Sequence, residues 1–262
     1  MQTIAVYNLK GGVGKTAAAV NLAWLAARDG MRTLVWDLDP QAASTYYFRV
    51  RAGVNGGAHH LLTHRKQLPN AIKATDYELL DLLPADFSYR NLDVDLLEAK
   101  NPIKRLAKLL TPLADSYDLC LLDCAPSISL VSEGVFCAAD ALLVPLIPTP
   151  LSLRAYEQVT QFVRASGDLE VDIMPFFSMV DRRRRLHREI VTEFVRSHPE
   201  VLHSFIPYAA EVERMGTQRA PIGVYAPNCG PARAFEALWQ AVRQRRFGTA
   251  PGARWNKSPS PA

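Results

Sequence analysis

Short apolar runs rich in β-branched residues alternate along the chain with longer segments whose apolar residues recur at helical spacing. The short runs predict strands at residues 3–7, 33–37, 79–83, 119–122, 141–146 and 171–177. The longer segments predict helices at residues 17–28, 102–113, 130–138, 152–165 and 186–195.

Strands that alternate with helices require crossover connections, which predict an α/β fold. We therefore expect a doubly wound, mostly parallel sheet flanked by helices, with any ligand at the carboxyl ends of the strands. The pattern predicts one domain over residues 1–247. Residues 248–262 are rich in Pro, Gly and Ser and carry two cations but no acid, which predicts a disordered basic tail.

A glycine-rich segment, K-G-G-V-G-K-T at residues 10–16, lies between the first predicted strand and the first predicted helix. Glycines let backbone N–H groups turn inward around a phosphate, and a helix N-terminus adds positive potential. In the usual pattern G-x-x-x-x-G-K-[ST], the first glycine would stand at Leu9. The segment predicts a phosphate loop in which Lys15 contacts the β- and γ-phosphates and Thr16 holds Mg²⁺.

Acidic residues follow two of the predicted strands. Asp37 and Asp39 stand in D-L-D-P-Q, and Asp123 ends the apolar run of L-C-L-L-D-C-A-P-S. Because parallel strands end at one edge of a sheet, these carboxylates are expected near the phosphate loop. The alternative for Asp39 is a helix N-cap or turn residue, although its place in D-L-D-P-Q favours a catalytic carboxylate.

Together these motifs resemble the ParA/MinD group of P-loop ATPases, the SIMIBI class with a deviant Walker A sequence, and most of all its short Soj-type partition ATPases. The resemblance extends to about residue 246. It implies a P-loop NTPase fold, ATP and Mg²⁺ as cofactors, and a weak ATPase activity stimulated by a partner.

The resemblance also implies residue roles. The counterpart of Lys10 reaches the partner subunit's nucleotide, so that two ATP molecules are sandwiched in a homodimer, while Asp39 matches the residue that orients the attacking water. Residues 124–129 match the switch that senses the γ-phosphate. The implied catalytic residues are Lys10, Lys15 and Asp39, the implied nucleotide contacts are Lys10, Gly11, Gly12, Val13, Gly14, Lys15, Thr16, Ala17, Met179, Asp181 and Pro207, and the implied metal contacts are Thr16, Asp39 and Asp123.

Several positions differ from the family pattern or match it weakly. Relatives usually carry Thr or Ser at the place of Ala17, so we expect modestly weaker nucleotide binding. Met179 and Asp181 would lie near the adenine edge and Pro207 against the base, although packing alone explains Met179 as well.

Arginine clusters raise the question of nucleic acid binding. The net charge is only +4, but no acidic residue follows Glu236. A solvated helix face explains the run at residues 182–185, whereas the resemblance implies nonspecific DNA binding through phosphate contacts. Glu211 and Gly230 stand where relatives carry arginines, which weakens a direct transfer of that role. The candidate DNA contacts are Arg182, Arg185, Arg188, Arg214, Arg219, Arg233, Arg243, Arg245 and Arg246.

The resemblance implies a cytoplasmic, nucleoid-associated protein that positions or segregates DNA or a large cargo, together with a ParB-like or cargo-adaptor protein that stimulates hydrolysis. The alternative is a MinD-like membrane-associated positioning ATPase. Its basic amphipathic helix would have to come from the stripe Phe235, Leu238, Trp239 and Val242, for which core packing is the stronger interpretation.

The remaining features exclude other classes of protein. The four cysteines have no zinc or disulfide spacing and do not match the paired cysteines of an iron–sulfur carrier on this fold. We expect them to be reduced thiols. No secretory signal is predicted at the N-terminus, and no apolar run is long enough to span a membrane.

Overall fold

The computed structural model describes residues 1–166 and 169–248, and most of its strands lie in the predicted places. These strands are β1 (Gln2–Val6), β2 (Thr33–Asp37), β3 (Lys73–Ala74), β4 (Leu80–Leu83), β5 (Leu119–Asp123), β6 (Ala141–Leu146), β7 (Asp172–Val180) and β8 (Phe205–Pro207).

The strands form one eight-stranded sheet in the order β3-β4-β2-β5-β1-β6-β7-β8. Among the described residues β3 is antiparallel to its neighbour and every other pairing is parallel. The predicted doubly wound α/β fold is therefore confirmed. A short antiparallel edge strand was not predicted, because both of its residues are exposed and leave no apolar signal.

Helices cover both faces of this sheet. They are α1 (Lys15–Arg28), α2 (Ala43–Tyr47), α3 (Gly57–Thr63), α4 (Leu68–Ala71), α5 (Leu92–Leu97), α6 (Arg105–Leu110), α7 (Leu130–Ala138), α8 (Pro150–Ala165), α9 (Arg185–Ser197), α10 (Ala210–Glu213), α11 (Met215–Gln218), α12 (Ile222–Tyr225) and α13 (Gly230–Phe247). Short 3₁₀ turns occur at Arg65–Gln67, Phe87–Asn91 and Thr111–Leu113.

Two apolar layers hold the helices on the sheet. Alternation along β1 sends Ile4 and Val6 into the layer that contains α1 and α13, and Ala5 into the opposite layer that contains α6 and α7. None of these three side chains has any exposed surface. The loop after β1 is therefore anchored by a strand that is buried on both faces.

The predicted helix at residues 102–113 is wrong in its bounds, since α6 covers only Arg105–Leu110. The helix predicted at residues 186–195 is observed as α9, and Leu186 near its start is 46% exposed. Because α9 begins at Arg185, its buried side is formed by His187 and Phe194 instead. The stripe at Phe235, Leu238, Trp239 and Val242 is buried in the core, as expected.

Three other expectations can be compared with the described residues. All four cysteines are free, and two of them are buried. Within residues 1–166 and 169–248 we find no helix with the length and apolar character needed to cross a membrane. The last helix ends at Phe247, and the tail predicted from Gly248 lies outside the described residues after its first position.

Candidate nucleotide site

The loop between β1 and α1 has the backbone conformation that its glycines allow. Gly12 and Gly14 have φ angles of +70° and +94°, in the left-handed region that residues with a Cβ rarely adopt. A Cβ built on Gly14 would lie 2.8 Å from Ser178 Oγ, whereas one built on Gly12 would meet nothing within 4 Å. Gly14 is thus needed for close packing as well as for backbone conformation.

A buried asparagine fixes the start of this loop. The Asn8 amide nitrogen donates to the carbonyl of Pro145 at 2.8 Å, and its amide oxygen accepts from the backbone N–H of Lys10 at 2.9 Å. The side chain has no exposed surface. Asn8 therefore ties the loop to the end of β6, a role that the sequence analysis missed because a single Asn before a loop carries no motif.

The two lysines of the loop lie in different surroundings. Lys15 is 7% exposed and lines the neighbouring cavity, and its ammonium donates to the carbonyl of Lys10 at 3.1 Å. Burial lowers the pKa of Lys15, and the nearby Asp123 and Asp39 carboxylates act in the opposite direction. Lys10 is half-buried and does not line the cavity, and no described residue bonds its ammonium.

Two buried carboxylates stand side by side at the ends of neighbouring strands. Asp37 of β2 is the register partner of Asp123 of β5, and neither has any exposed surface. Burial raises the pKa of both carboxyls, and the charge of Asp37 raises that of Asp123 further. Such a pair needs either hydrogen bonds or a cation beside it.

The first residues of α2 supply hydrogen bonds to both carboxylates. Ser44 Oγ donates to Asp123 Oδ2 at 2.6 Å. The hydroxyl and the N–H of Thr45 donate to Asp37 Oδ2 at 2.7 and 2.8 Å. Neither Ser44 nor Thr45 was predicted from the sequence to take part in this site. Their position in D-L-D-P-Q-A-A-S-T, directly after the two aspartates, is the signal that could have found them.

Asp39 lies at the mouth of the same site. Its side chain lines the cavity, and its Oδ1 accepts from the backbone N–H of Gln41 at 2.9 Å, so it is also a turn residue. The turn continues into Ala42, whose φ of +56° is unusual for a residue with a Cβ. The two interpretations of Asp39 are therefore compatible.

The donor atoms around Asp123 fit a magnesium ion. Asp123 Oδ1 is buried and has no hydrogen-bond partner of normal geometry among the described residues. The Thr16 hydroxyl lies close enough to lower the pKa of Asp123 against the effect of burial. Carboxylate and hydroxyl oxygens are the ligands that Mg²⁺ prefers, and an unsatisfied buried oxygen is the kind of atom that a cation or its water would contact.

A cavity of about 470 Å³ extends from the phosphate loop towards β7 and β8. Its far end is mainly apolar, with Glu213 and Tyr208 as polar groups at the wall. Met179 and Pro207 line this end, whereas Asp181 does not line it and instead pairs with Arg183 at 3.0 Å. The lining residues are Gly11, Gly12, Gly14, Lys15, Thr16, Ala17, Asp39, Ala43, Tyr47, Pro126, Phe176, Ser178, Met179, Ile206, Pro207, Tyr208, Ala209, Val212, Glu213 and Phe235.

The segment after β5, at residues 124–129, is attached to β1 by a side chain. Tyr7 is buried, and its hydroxyl donates to the carbonyl of Ser127 at 2.6 Å. Pro126 of this segment lines the cavity beside Gly11. The segment predicted as the switch thus lies beside the phosphate loop at the same cavity, and the Tyr7 hydroxyl ties it to β1.

Several arginines that were candidates for DNA contacts are held by the fold. Arg243 is 13% exposed and pairs with Asp29 at 2.9 Å, while Arg245 and Arg246 both pair with Asp172. Arg188 donates to the carbonyl of Arg182. These ion pairs reduce the free positive charge expected at the end of α13. Among the other candidates, Arg214 and Arg233 are exposed.

Comparison with known proteins identifies the family. A family model described as an AAA domain matches residues 1–171. The virulence plasmid ParA family protein pGP5-D of Chlamydia psittaci is 34% identical over 255 residues, which cover 94% of this chain and 96% of the relative. The chain belongs to the ParA family. A second ParA relative, the chromosome-partitioning ATPase Soj of Treponema pallidum, is 28% identical over 93% of this chain and 98% of its own.

Solved structures support the ParA fold. An ATP complex of a Cyanothece McdA variant superposes with a TM-score of 0.79 at 18% identity and covers 92% of this chain and 96% of its own. A cobyrinic acid a,c-diamide synthase of Mycobacterium smegmatis with an ATP analogue and magnesium gives 0.81 at 22% identity and covers 95% and 97%. At these identities the likeness concerns the fold alone.

Proposed function

We propose that this chain is a switch ATPase that dimerises around ATP and positions or segregates DNA or a large intracellular cargo. The observation that carries the proposal is the different position of two lysines in one loop. Lys15 lines the nucleotide-sized cavity of its own subunit, and Lys10 does not. A loop cation that does not line its own cavity is available to a second nucleotide.

The cavity supports ATP as the ligand. Backbone N–H groups of residues 11–16 and the Lys15 ammonium would hold the phosphates at one end. Met179 and Pro207 give the far end the apolar walls that a nucleobase requires. Structures of similar fold contain ATP, an ATP analogue or AMPPNP, which agrees with this assignment.

Magnesium would be held by Thr16 and, through water, by Asp123, with Asp39 near the same site. When bound, the ion neutralises charge that develops on the phosphates. The Asp39 carboxylate would position the attacking water, and Lys10 of the partner subunit would stabilise the transferred phosphoryl group. Hydrolysis therefore depends on dimerisation, which gives a slow basal rate and a place for a stimulating partner.

The relatives support a positioning role. One relative is named a chromosome-partitioning ATPase, and another is a virulence plasmid ParA family protein. A solved structure of similar fold is a plasmid partition protein of Borrelia burgdorferi. We extend this role to the present chain, with a ParB-like or cargo-adaptor protein as the stimulating partner. Its place would be the cytoplasm, on the nucleoid.

Nonspecific DNA would be bound by exposed arginines of the ATP dimer. The best candidates are Arg214 and Arg233, because both are exposed and neither guanidinium has a hydrogen-bond or ion-pair partner among the described residues. Reversal of Arg245 and Arg246 would place new carboxylates against Asp172 and disturb the fold. These two residues are therefore a poor test of DNA contact.

The dimer is tested with Asp39→Ala, which should keep ATP binding and block turnover. Light scattering after gel filtration should give twice the monomer mass with ATP and Mg²⁺, and the monomer mass with ADP. Asp115→Ala removes an exposed carboxylate beside the start of β5, at the opposite edge of the sheet, and serves as the control. A strictly monomeric Asp39→Ala protein with bound ATP would overturn the proposal.

DNA binding is tested by retention on a duplex column at several salt concentrations. Arg214→Glu and Arg233→Glu should weaken retention in ATP and should each lower the salt slope by about 1. Arg65→Glu, which reverses an exposed arginine near α3, is the control with the same change in charge. Equal retention of all three variants would exclude these two arginines as DNA contacts.

A further inference from the structure

The short helix α2, which lines the candidate nucleotide cavity with Ala43 and Tyr47, is joined to the neighbouring helix α11 by a pair of arginines at the C-terminal ends of the two helices. Arg49 follows α2, and Arg219 follows α11. The Arg49 guanidinium donates to the carbonyls of Arg219 at 3.1 Å and Gln218 at 3.0 Å. In return, Arg219 Nε donates to the carbonyl of Tyr46 at 3.0 Å. Arg49 thus caps the C-terminal end of α11, and Arg219 caps the C-terminal end of α2.

The contact has an aromatic component. The Arg219 guanidinium lies over the Tyr46 ring, with 4.4 Å between its carbon and the ring centroid. A cation over an aromatic face is attracted by the ring, and a cation at a helix C-terminus is favoured by the helix dipole. The pair is therefore held by several interactions that reinforce each other, and we call it the arginine clasp.

Both arginines adopt a backbone conformation that costs free energy. The φ angles of Arg49 and Arg219 are +59° and +49°. At the end of α2 the N–H of Val50 donates to the carbonyl of Thr45, and the N–H of Arg49 donates to Tyr46. This is a Schellman ending, in which glycine is the usual residue at the place of Arg49. A strained arginine where glycine would be relaxed indicates that its side chain has a role.

The clasp connects the two sides of the proposed site. On one side, α2 follows Asp39 and carries Ser44 and Thr45, which bond the buried carboxylates. On the other side, α11 follows α10, and the segment up to Glu213 lines the far end of the cavity. Tyr47 of α2 also lines the cavity and is the nearest side chain to a Cβ built on Gly216 of α11.

We propose that Arg49 and Arg219 are positioning residues that hold the Asp39 turn in register with the wall of the cavity that faces the base. They touch no phosphate, and they act through α2. This inference rests on the proposed ATPase function. Their loss should lower kcat for ATP hydrolysis far more than it weakens ATP binding, because the displaced group acts on the reacting end and not on the walls that bind the nucleotide.

The test replaces each arginine by glycine, which removes the side chain and relieves the backbone strain. Arg49→Gly and Arg219→Gly should each lower kcat by about tenfold and change the dissociation constant of a fluorescent ATP analogue by less than about threefold. The double variant should be no slower than the slower single variant, since the two side chains act as one unit. Melting temperatures report whether each variant is folded.

Leu79→Gly is the matched control. Leu79 has a φ of +60°, is 48% exposed, and stands before β4 at the edge of the sheet opposite the site. If the arginine variants turn over ATP like Leu79→Gly, or if their effects on kcat multiply, the clasp does not position the Asp39 turn. Arg219→Asn, which also tolerates a positive φ, replaces Arg219→Gly should the latter fail to fold.

The two proposals fail in different ways. If the unaltered protein binds the ATP analogue but never hydrolyses ATP, under any condition of partner or DNA, the proposed ATPase function is wrong. If the unaltered protein hydrolyses ATP, and the Arg49 and Arg219 variants do so with the same kcat as Leu79→Gly, the ATPase function stands and only the positioning role is wrong.

Discussion

The ammonium of Lys15 donates a hydrogen bond to the carbonyl of Lys10, five residues earlier in the same loop. This bond keeps the Lys15 side chain against its own loop, and burial lowers the pKa of Lys15. A phosphate group offers Lys15 a stronger, charge-assisted partner in the same cavity. The loop is therefore arranged to exchange an internal contact for a ligand.

Lys15→Ala should remove measurable ATP binding. The loss of a buried, charged hydrogen-bond donor to phosphate is expected to weaken affinity on the order of 100-fold or more. Isothermal titration with ATP and Mg²⁺ measures it directly. Lys66→Ala, which removes an exposed cation, should bind like the unaltered chain, and micromolar affinity in Lys15→Ala would remove the phosphate-loop assignment.

Gly14→Ala should be more harmful than Gly12→Ala. Both changes strain a left-handed backbone by roughly 1–2 kcal/mol, but only the first places a Cβ 2.8 Å from Ser178 Oγ. ATP affinity measured for the two variants should rank in that order. A Gly14→Ala, Ser178→Ala double variant should recover part of the ATP affinity lost in Gly14→Ala. If it recovers none, backbone strain alone accounts for the loss of affinity.

Tyr7→Phe should loosen the segment at residues 124–129. Burial raises the pKa of Tyr7, so its hydroxyl stays protonated and donates to Ser127 across the physiological pH range. Loss of this bond should cost about 1 kcal/mol and should speed amide hydrogen exchange in that segment. Tyr117→Phe removes a hydroxyl that bonds Asp81 and is the control. Unchanged exchange would show that Tyr7 does not restrain residues 124–129.

Asp29→Ala should lower stability without changing ATP affinity. Asp29 Oδ2 accepts from Trp239 Nε1 and from Arg243 Nη1, both at 2.9 Å. Its removal leaves a mostly buried indole N–H and a mostly buried guanidinium unpaired, at a cost of about 2 kcal/mol. For a chain of this size we expect a fall in melting temperature of roughly 4–8 °C. A fall no larger than that of Asp115→Ala would contradict this account.

Much of the fold could be predicted because its strands are buried on both faces. The runs at Thr33–Asp37 and Ala141–Leu146 are continuous and apolar, and their observed bounds equal the predicted ones. The short helices after β2 and β8 were missed for physical reasons. Helices such as α2 and α10 to α12 are only four or five residues long, so they cannot show a helical period in the sequence.

The site was predictable where a motif fixes chemistry, and less so where contacts arise from folding. Residues 11–17 and Asp39 were named from local patterns, and all but Val13 line the cavity. By contrast, the bond from Ser44 to Asp123 joins residues 79 positions apart, and the bond from Arg245 to Asp172 joins residues 73 positions apart. A basic run therefore looked free in the sequence although its partners lay in other elements.

The two outermost strands have a consequence for crowding. β3 has two residues and β8 has three, and β8 ends in Pro207, which has no N–H to offer a neighbour. Long open sheet margins act as templates for permanent strand addition between molecules. With margins this brief, the sheet offers little free backbone to a second copy, so strand addition between molecules is disfavoured even where the protein is concentrated.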